Sequence, residues 1–504
     1  MNSVNFVKGQ GGLGRLLPGE DFISGLLMYV PTANYSKRLK RYNSLNEAIA
    51  DGITNADGTE TKASNGTLAF TLVGGTGKVW TVKVDDLLLC AYTETAGLST
   101  TTLATAIYNA INAGTATHGF SSTNGTAGTA TVVAPVGLGS SINLGSHLTA
   151  VCTDTGTVTI TQFGVTTAGV YAIYKLLYYH ISEFFRLNPN GSLFVHTVSK
   201  ATAETTFAEI VTLQTYAEGK IRQLGIYQPY TFAGAHVTAI QVKATALETD
   251  NKPLIVLYAC DMMAVTAYGN LVDLRGTLSA KNVSVVIGED GAGIGYALAI
   301  AKGYSISCLG AALGTVSLSA VNENIGWVGK FNIAAVELDA PALSFNDSTY
   351  GRLIKNYTTA ALDAINAKGY VFLVKHLGVS GSYFNDSHTA IPATSDYAYI
   401  ENNRTIDKAI RGIRTYLVPE INSPVKVDAV SGKLDMNRVK YLEAQGSIAL
   451  DQMMRNSELS GYQVTIDPDQ NVLGTSTINV TVQLVPVGVA RTITVTVGFV
   501  TKLS

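Results

Sequence analysis

Four places in the sequence carry residue types at spacings that chemistry uses. Gly75-Thr76-Gly77-Lys78 reads as the end of a phosphate-cradling loop, in which backbone amides and a lysine hold phosphate oxygens. That loop needs glycine six residues before the lysine and Ser or Thr after it. Here those positions are Leu72 and Val79, so the backbone cradle and the magnesium hydroxyl are both missing. Gly291-Ala-Gly293-Ile-Gly295 follows a β-branched run, as a dinucleotide loop would, but its spacing is G-x-G-x-G rather than G-x-G-x-x-G. Glu289 and Asp290 also stand where a pyrophosphate would come. Ser380, in Gly378-Val-Ser-Gly381, lacks the G-x-S-x-G elbow that exposes a nucleophile. Asp467 and Asp469 flank Pro468, which reads as a turn; the alternative is a carboxylate pair for acid–base work. None of the 7 histidines forms H-E-x-x-H or another metal spacing. Cys90, Cys152, Cys260 and Cys308 are far apart and form no C-x-x-C pair, so they read as buried free thiols of a reducing compartment. These residues predict no catalytic group, no metal and no cofactor.

The elements that would position any site follow from size and pattern. At roughly 150 residues per domain, 504 residues suggest about three domains. Lys+Arg total 35 and Asp+Glu 37, giving a net charge of −2 with no basic block. That argues against nucleic acid as a partner, because phosphate neutralisation needs clustered Lys and Arg. Apolar residues make up 46%, enough for buried cores and too many for a disordered chain. Charged residues make up only 14%, against about 25% in an average soluble chain. A surface this poor in charge is either poorly soluble or covered by something else. Met1 to Gly12 has no basic region followed by an apolar one, so no signal peptide is expected. Gly303 to Val321 is free of charge, but its serines and glycines predict a buried helix and strand edge, not a membrane span.

Composition divides the chain into 1–54, 55–167, 168–395 and 396–504. In the first segment Val4, Phe6 and Val7 suit a strand, and a glycine-rich run follows with Gly9, Gly11, Gly12 and Gly14. Ile23 to Val30 reads as a buried strand, and Ser44 as the cap of a helix through Glu47 and Ala48. Residues 55–167 are rich in Thr, Gly and Ala. Leu68/Phe70/Leu72, Trp80/Val82/Val84 and Val158/Ile160 alternate, and Leu103, Ile107 and Ile111 mark one helix. This reads as a β-rich domain inserted into another; the alternative is one face of a larger β fold. From 168 to 395, helices at Tyr171–Phe185, Phe207–Lys220, Ala233–Leu247 and Thr358–Ala367 alternate with strands at Ser192–Val195, Ile221–Tyr227, Leu254–Tyr258, Val283–Ile287 and Tyr370–Val374. That rhythm predicts a layered α/β domain, with Gly369 as a helix C′ residue. In the last segment a helix over Asn403–Pro419 carries Arg404, Lys408, Arg411 and Arg414 on one broad face. A second helix over Met436–Asn456 carries Val439, Leu442, Ile448, Met453 and Met454. Two alternating strands close the chain. Ile478, Val480, Val482 and Leu484 share one face of the first; Ile493, Val495, Val497 and Phe499 share one face of the second.

The closing segment resembles the sheath proteins of contractile phage tails and related contractile injection machines. The likeness runs through Asn402-Asn-Arg404-Thr-Ile-Asp-Lys-Ala, the helix Met436–Met454, Gly461-Tyr-Gln-Val-Thr-Ile-Asp467-Pro-Asp-Gln470-Asn-Val, Ile478–Leu484 and Pro486-Val-Gly-Val-Ala-Arg491-Thr-Ile. Gly11-Gly-Leu-Gly-Arg15 and Ile23-Ser-Gly-Leu-Leu27 look like the N-terminal side of the same family. The resemblance covers about 150 residues well, the α/β middle loosely, and leaves 55–167 outside. It implies a multidomain α/β (α+β) fold: a layered sheath core built from both ends of the chain, with the β-rich insertion on the outer surface. It implies a non-enzymatic subunit that polymerises into a helical sleeve and contracts by rigid-body rotation to drive a tube through a host envelope. The partners implied are other copies, a tail tube protein, and baseplate and tail terminator proteins. The place implied is the virion, assembled in the bacterial cytoplasm.

Within that expectation, residues 2–8 and one C-terminal strand are expected to share a sheet with neighbouring subunits, because strand-edge bonds join chains whatever the side chains are. An intramolecular hairpin is the alternative. Gly11, Gly12 and Gly14 suit a hinge, or an ordinary loop. Arg438, Lys440, Glu443, Asp451 and Arg455, with Arg404 and Arg411, are candidates for weak charged contact with a tube, or for plain solvated faces. An α/β enzyme with an accessory β domain, or a surface adhesin, remains the competing reading.

Overall fold

Strand Ile23–Val30 (β1) is buried along its whole length, as eight apolar and small residues without a charge dictate. Its side chains alternate between two cores: Leu26, Met28 and Val30 enter one, Ile23, Leu27 and Tyr29 the other. A strand covered on both faces belongs in the middle of a parallel sheet. The computed structural model describes residues 21–30, 38–55, 65–84, 87–124, 127–135, 147–164, 174–302, 304–334 and 340–499. Two compact units are seen among them, one within 21–319 and 325–403, the other including 320–324 and 404–499.

The first unit is built on a seven-stranded sheet. Its other strands are Arg38–Tyr42 (β2), Ser192–Ser199 (β10), Gln223–Thr231 (β11), Ile255–Asp261 (β12), Val283–Val286 (β13) and Tyr370–Val371 (β17), in the order β17-β13-β12-β11-β1-β10-β2. All neighbours are parallel except β2, an antiparallel edge. Helices Glu209–Tyr216 and Gly234–Thr249 cover one face; Tyr174–Leu187 and Leu309–Leu318 cover the other. These last two helices touch backbone to backbone. A Cβ on Gly310 would collide with the backbone of His180, and one on Gly314 with that of Phe184. The charge-free stretch after Gly303 is therefore a buried helix, as expected. Among the described residues no helix is long and apolar enough to cross a membrane.

Local signals hold closely. Ser44 accepts the Glu47 amide at the start of helix Leu45–Ala50, and Thr358 caps Thr359–Ala367. Gly369 follows that helix at φ +88°, a conformation that favours glycine. The expected strand Tyr370–Val374 divides at Phe372. Asn385 takes the Phe372 amide and donates to the Tyr370 carbonyl, replacing the ladder there. Only Leu373–Val374 (β18) then pairs with Tyr383–Phe384 (β19).

Between β2 and β10 lies a β-rich region. Asn65–Leu72 (β3), Ser121–Asn124 (β6), Thr129–Val133 (β7) and Thr157–Gly164 (β9) form one sheet, β6-β7-β3-β9. Val79–Val84 (β4), Leu87–Thr93 (β5) and Leu148–Cys152 (β8) form another, β5-β4-β8. Helix Thr100–Ala113 buries Leu103, Ile107 and Ile111, as their spacing predicts. Leu68 and Phe70 point inward, but Leu72 is exposed, because β3 shifts register against β9 between Phe70 and Leu72.

The second unit holds most of helix Ile400–Leu417, helix Met436–Arg455, and a two-stranded antiparallel sheet of Leu459–Thr465 (β20) and Thr481–Pro486 (β21). The two alternating runs expected to close the chain do not pair with each other. The first contributes β21, whose partner is β20. Residues 487–499 form no strand. A strand has no stability without a ladder partner, and none is offered to this one among the described residues.

Candidate assembly interface

The loops that suggested phosphate chemistry are each closed by a carboxylate of the chain itself. Gly75 and Gly77 do adopt positive φ, but the amides of Gly74 and Gly75 both donate to Glu94, at 2.7 Å each. The Trp80 indole donates to the same carboxylate, and Lys78 pairs with Asp154 at 2.6 Å. In the second loop Asp290 accepts the amides of Ala292, Gly293 and Gly295, at 2.8–3.0 Å. An anion would meet a negative charge in both places. Beside Asp290, burial pushes the Glu289 carboxyl up to about 7, against the pull of Arg352.

An open parallel sheet binds ligands beyond its carboxyl edge where the strand order reverses. Here that point lies around β1, flanked by β10 and β11. Lys200 follows β10 and is held by Glu204 at 2.6 Å and Glu209 at 3.4 Å, while Tyr29 donates to Glu209. Burial pushes Glu204 up, but Lys200 and the donors from Thr206 and Phe207 outweigh it and hold the carboxyl at about 2. Deeper in, Gln228, His236 and Tyr258 bond to one another. The crevice is filled by its own side chains. Ser380 sits in an exposed loop, and the Asp467–Asp469 pair is a turn in which Asp467 accepts the Asp469 amide. Among the described residues no cluster of His, Cys, Asp or Glu is arranged for a metal. Cys90, Cys260 and Cys308 are buried thiols; Cys152 is half-buried.

The second unit carries most of the expected contact residues. Val482 and Leu484 pack on a small core of Ala409, Leu450, Met453 and Leu459. Ile478 and Val480 pack on Leu434, Val439, Leu442 and Ile466. These four therefore pack on the unit's own cores: Val482 and Leu484 also ladder with β20, while Ile478 and Val480 rest on side chains outside it. Ile493, Val495, Val497 and Phe499 differ: they are 80%, 73%, 88% and 109% exposed. Val4, Phe6, Val7, Gly11, Gly12 and Gly14 lie outside the described residues.

The charged face on helix Ile400–Leu417 is not an exposed row. Arg404 is buried and donates to the Ala320 carbonyl, and Lys408 is buried against Glu458 at 2.6 Å. Arg411 is half-buried and Arg414 exposed, so the face opens only at its end. On helix Met436–Arg455, Arg438 is half-buried between Glu420, at 2.7 Å, and the Tyr441 ring. Glu443 accepts the Ile466 amide and Lys440, and Asp451 accepts the Tyr462 hydroxyl. Lys440, Asp451 and Arg455 face solvent. Met454, expected on the apolar side, is exposed, one position past the buried Met453. Sequence reasoning missed Glu458 and Glu420. Neither has a local signal, because each pairs with a residue on a separate element.

The family model described as DUF2586, N-terminal domain, matches residues 114–388, more than half of the chain. The chain belongs to the DUF2586 family. The model described as DUF2586, C-terminal domain, matches 396–504. No curated protein matches this DUF2586 chain. Among solved structures, it is similar to the baseplate of the anti-feeding prophage, at 15% identity over 67% of this chain and 84% of that one, with a TM-score of 0.42. It is similar to the helical sheath of the same prophage in its contracted state, at 14% identity over 68% and 84%, with a TM-score of 0.45. It is also similar to the contracted sheath complex of the extracellular contractile injection system PVC, at 16% identity over 64% and 80%, with a TM-score of 0.41.

Proposed function

We propose that this DUF2586 protein is the repeating subunit of a contractile sheath. It polymerises into a helical sleeve around a tail tube, and its subunits rotate as rigid bodies when the sleeve shortens. The observation that carries this reading is the run Ile493–Phe499. It alternates perfectly, it is apolar on one side, and no strand among the described residues pairs with it. In a free protein such a segment is an aggregation hazard. In a polymer it is a joint that adds to a sheet edge of the next subunit, and β20 and β21 each leave one edge unpaired among the described residues. Head-to-tail contacts of this kind generate an open helix when their rotation does not close a ring. The resemblance of residues 402–409, 436–454, 461–472, 478–484 and 486–493 to sheath sequences supports the same reading.

The tube is then met by charge at the surface, with the exposed Lys440, Asp451 and Arg455 and the half-buried Arg411 as the candidates. Exposed pairs are worth only about 0–1 kcal/mol each, which suits a grip that must release. Other copies, a tube protein, a baseplate and a tail terminator are the partners this role requires, and the virion tail is its place. Glu94 and Asp290, seated in the two phosphate-like loops, favour a structural role over an enzymatic one. The test is sedimentation of the full chain against a chain lacking 487–504. The reading predicts that the full chain forms large polymers and the shortened one stays small and folded. Equal polymer formation by both would overturn the joint.

A further inference from the structure

Strands β18 and β19 are joined by a loop, 375–382, that its own bonds hold in one shape. The Tyr383 hydroxyl donates to the Ser380 carbonyl at 2.8 Å, and Asn332 accepts the Ser382 amide at 3.2 Å. The Ile333 amide donates to the Ser382 carbonyl at 2.9 Å. Gly381, at φ +116°, lies against Asn332, where a Cβ would collide. The loop holds out Leu377, fully exposed, and Val379. The segment bonded to it holds out Trp327, which is 52% exposed and lies beneath the Lys330 ammonium. Segments 325–334 and 371–385 contain Lys330, Lys375 and His376 and no carboxylate.

A second exposed apolar end lies elsewhere in the chain. Val427 bridges Leu434, and Asp428 accepts the amides of Val430 and Ser431, so Val430 stands at the tip of a turn, 98% exposed. The Leu434 amide donates to the Pro468 carbonyl, and Lys433 pairs with Asp469 at 2.7 Å. These bonds tie the turn to segment 467–473, with its exposed Leu473. Here the sign is opposite: Asp428, Asp435, Asp467 and Asp469 outnumber Lys426 and Lys433.

Neither surface suits a copy of itself, because a two-fold contact would set like charges against each other. They suit one another. Both present apolar tips that are fixed before contact, so docking orders little. Tryptophan is among the residue types that most often anchor an interface. We propose that the basic surface around Leu377 and Trp327 of one chain docks head-to-tail on the acidic surface around Val430 and Leu473 of a second copy. Opposite charge orients the approach, and the apolar tips supply the burial. This contact rests on the reading of the chain as a repeating subunit, and it uses surfaces apart from Ile493–Phe499.

The test uses two full-length chains, Leu377→Cys and Val430→Cys, co-expressed with tags of different mass. Both carry Cys152→Ser, since the other cysteines are buried. A short bismaleimide is expected to join unlike chains about tenfold more than like ones. Lys330→Glu with Lys375→Glu on the Leu377→Cys chain is expected to cut that product about fivefold. Adding Asp467→Lys with Asp469→Lys on the other chain is expected to restore it. Unchanged circular dichroism confirms that the variants fold. An excess of like-with-like product, or a mixed product indifferent to both charge reversals, would overturn the contact. Sleeves of the unmodified chain without any mixed product would overturn the contact alone. Mixed product without sleeves would uphold the contact and overturn the sheath reading, and absence of both would overturn both.

Discussion

Glu94 and Asp290 perform one task in two unrelated loops: each satisfies backbone amides that would otherwise lack an acceptor. Removing such an acceptor leaves buried donors unpaired, at about 1–3 kcal/mol apiece. Glu94→Ala is therefore expected to destabilise the β-rich region by roughly 2–4 kcal/mol, since it strands two amides and the Trp80 indole. Urea unfolding in a Trp327→Phe background checks this, because Trp80 is then the only tryptophan of the 2 in the chain. An unchanged midpoint would contradict it.

Glu289 sets a pH dependence at the same scale. Its carboxyl is fully buried beside Asp290 and Arg352, and burial raises it from its ordinary 4.5 to about 7. The folded chain then holds a proton that the unfolded chain gives up. Stability from this group is present below about pH 4.5 and is lost as pH rises to about 7. At about 1.4 kcal/mol per unit, the full span is on the order of 3 kcal/mol. Glu289→Gln is expected to flatten the change in melting temperature between pH 5 and pH 8. A variant that keeps the full slope would place the titration elsewhere.

Elements show which signals were local. Ser44, Thr358 and Gly369 mark helix ends through bonds within a few residues, so their roles were legible in sequence. The buried run of β1 and the alternation in β4 were legible because burial imposes them directly. Arg404 and Lys408 were misread as an exposed row because what buries them is distant in sequence: Ala320 for one, Glu458 for the other. Tyr370–Val374 was read as one strand because nothing nearby announces that Asn385 interrupts it. The two closing runs look alike in sequence; among the described residues only the first finds a partner. The alternation of the second run was thus legible as a pattern, while its pairing was not. The buried pair between helix Ile400–Leu417 and the start of β20 gives a prediction at this scale. Lys408→Met alone is expected to cost about 3–5 kcal/mol by leaving Glu458 uncompensated, and adding Glu458→Leu to recover most of it. Thermal melts of the single and double variants decide; an additive second loss would mean the ions are not a coupled pair.

Across the whole molecule, the shortage of charge has two physical sources. One is the run Ile493–Phe499, whose apolar side chains are exposed. The other is the threonine face of the β-rich region, which stays wet through hydroxyls instead of ions. Val495→Lys with Val497→Lys is expected to stop polymer growth while leaving circular dichroism unchanged, because both side chains are exposed in the single chain. Polymers of normal length from that variant would show that the joint lies elsewhere.

Electron microscopy of the purified full-length protein tests the central claim most directly. Hollow helical sleeves, wide enough to surround a tube, are the predicted result. A uniform field of compact particles at every concentration examined would contradict it.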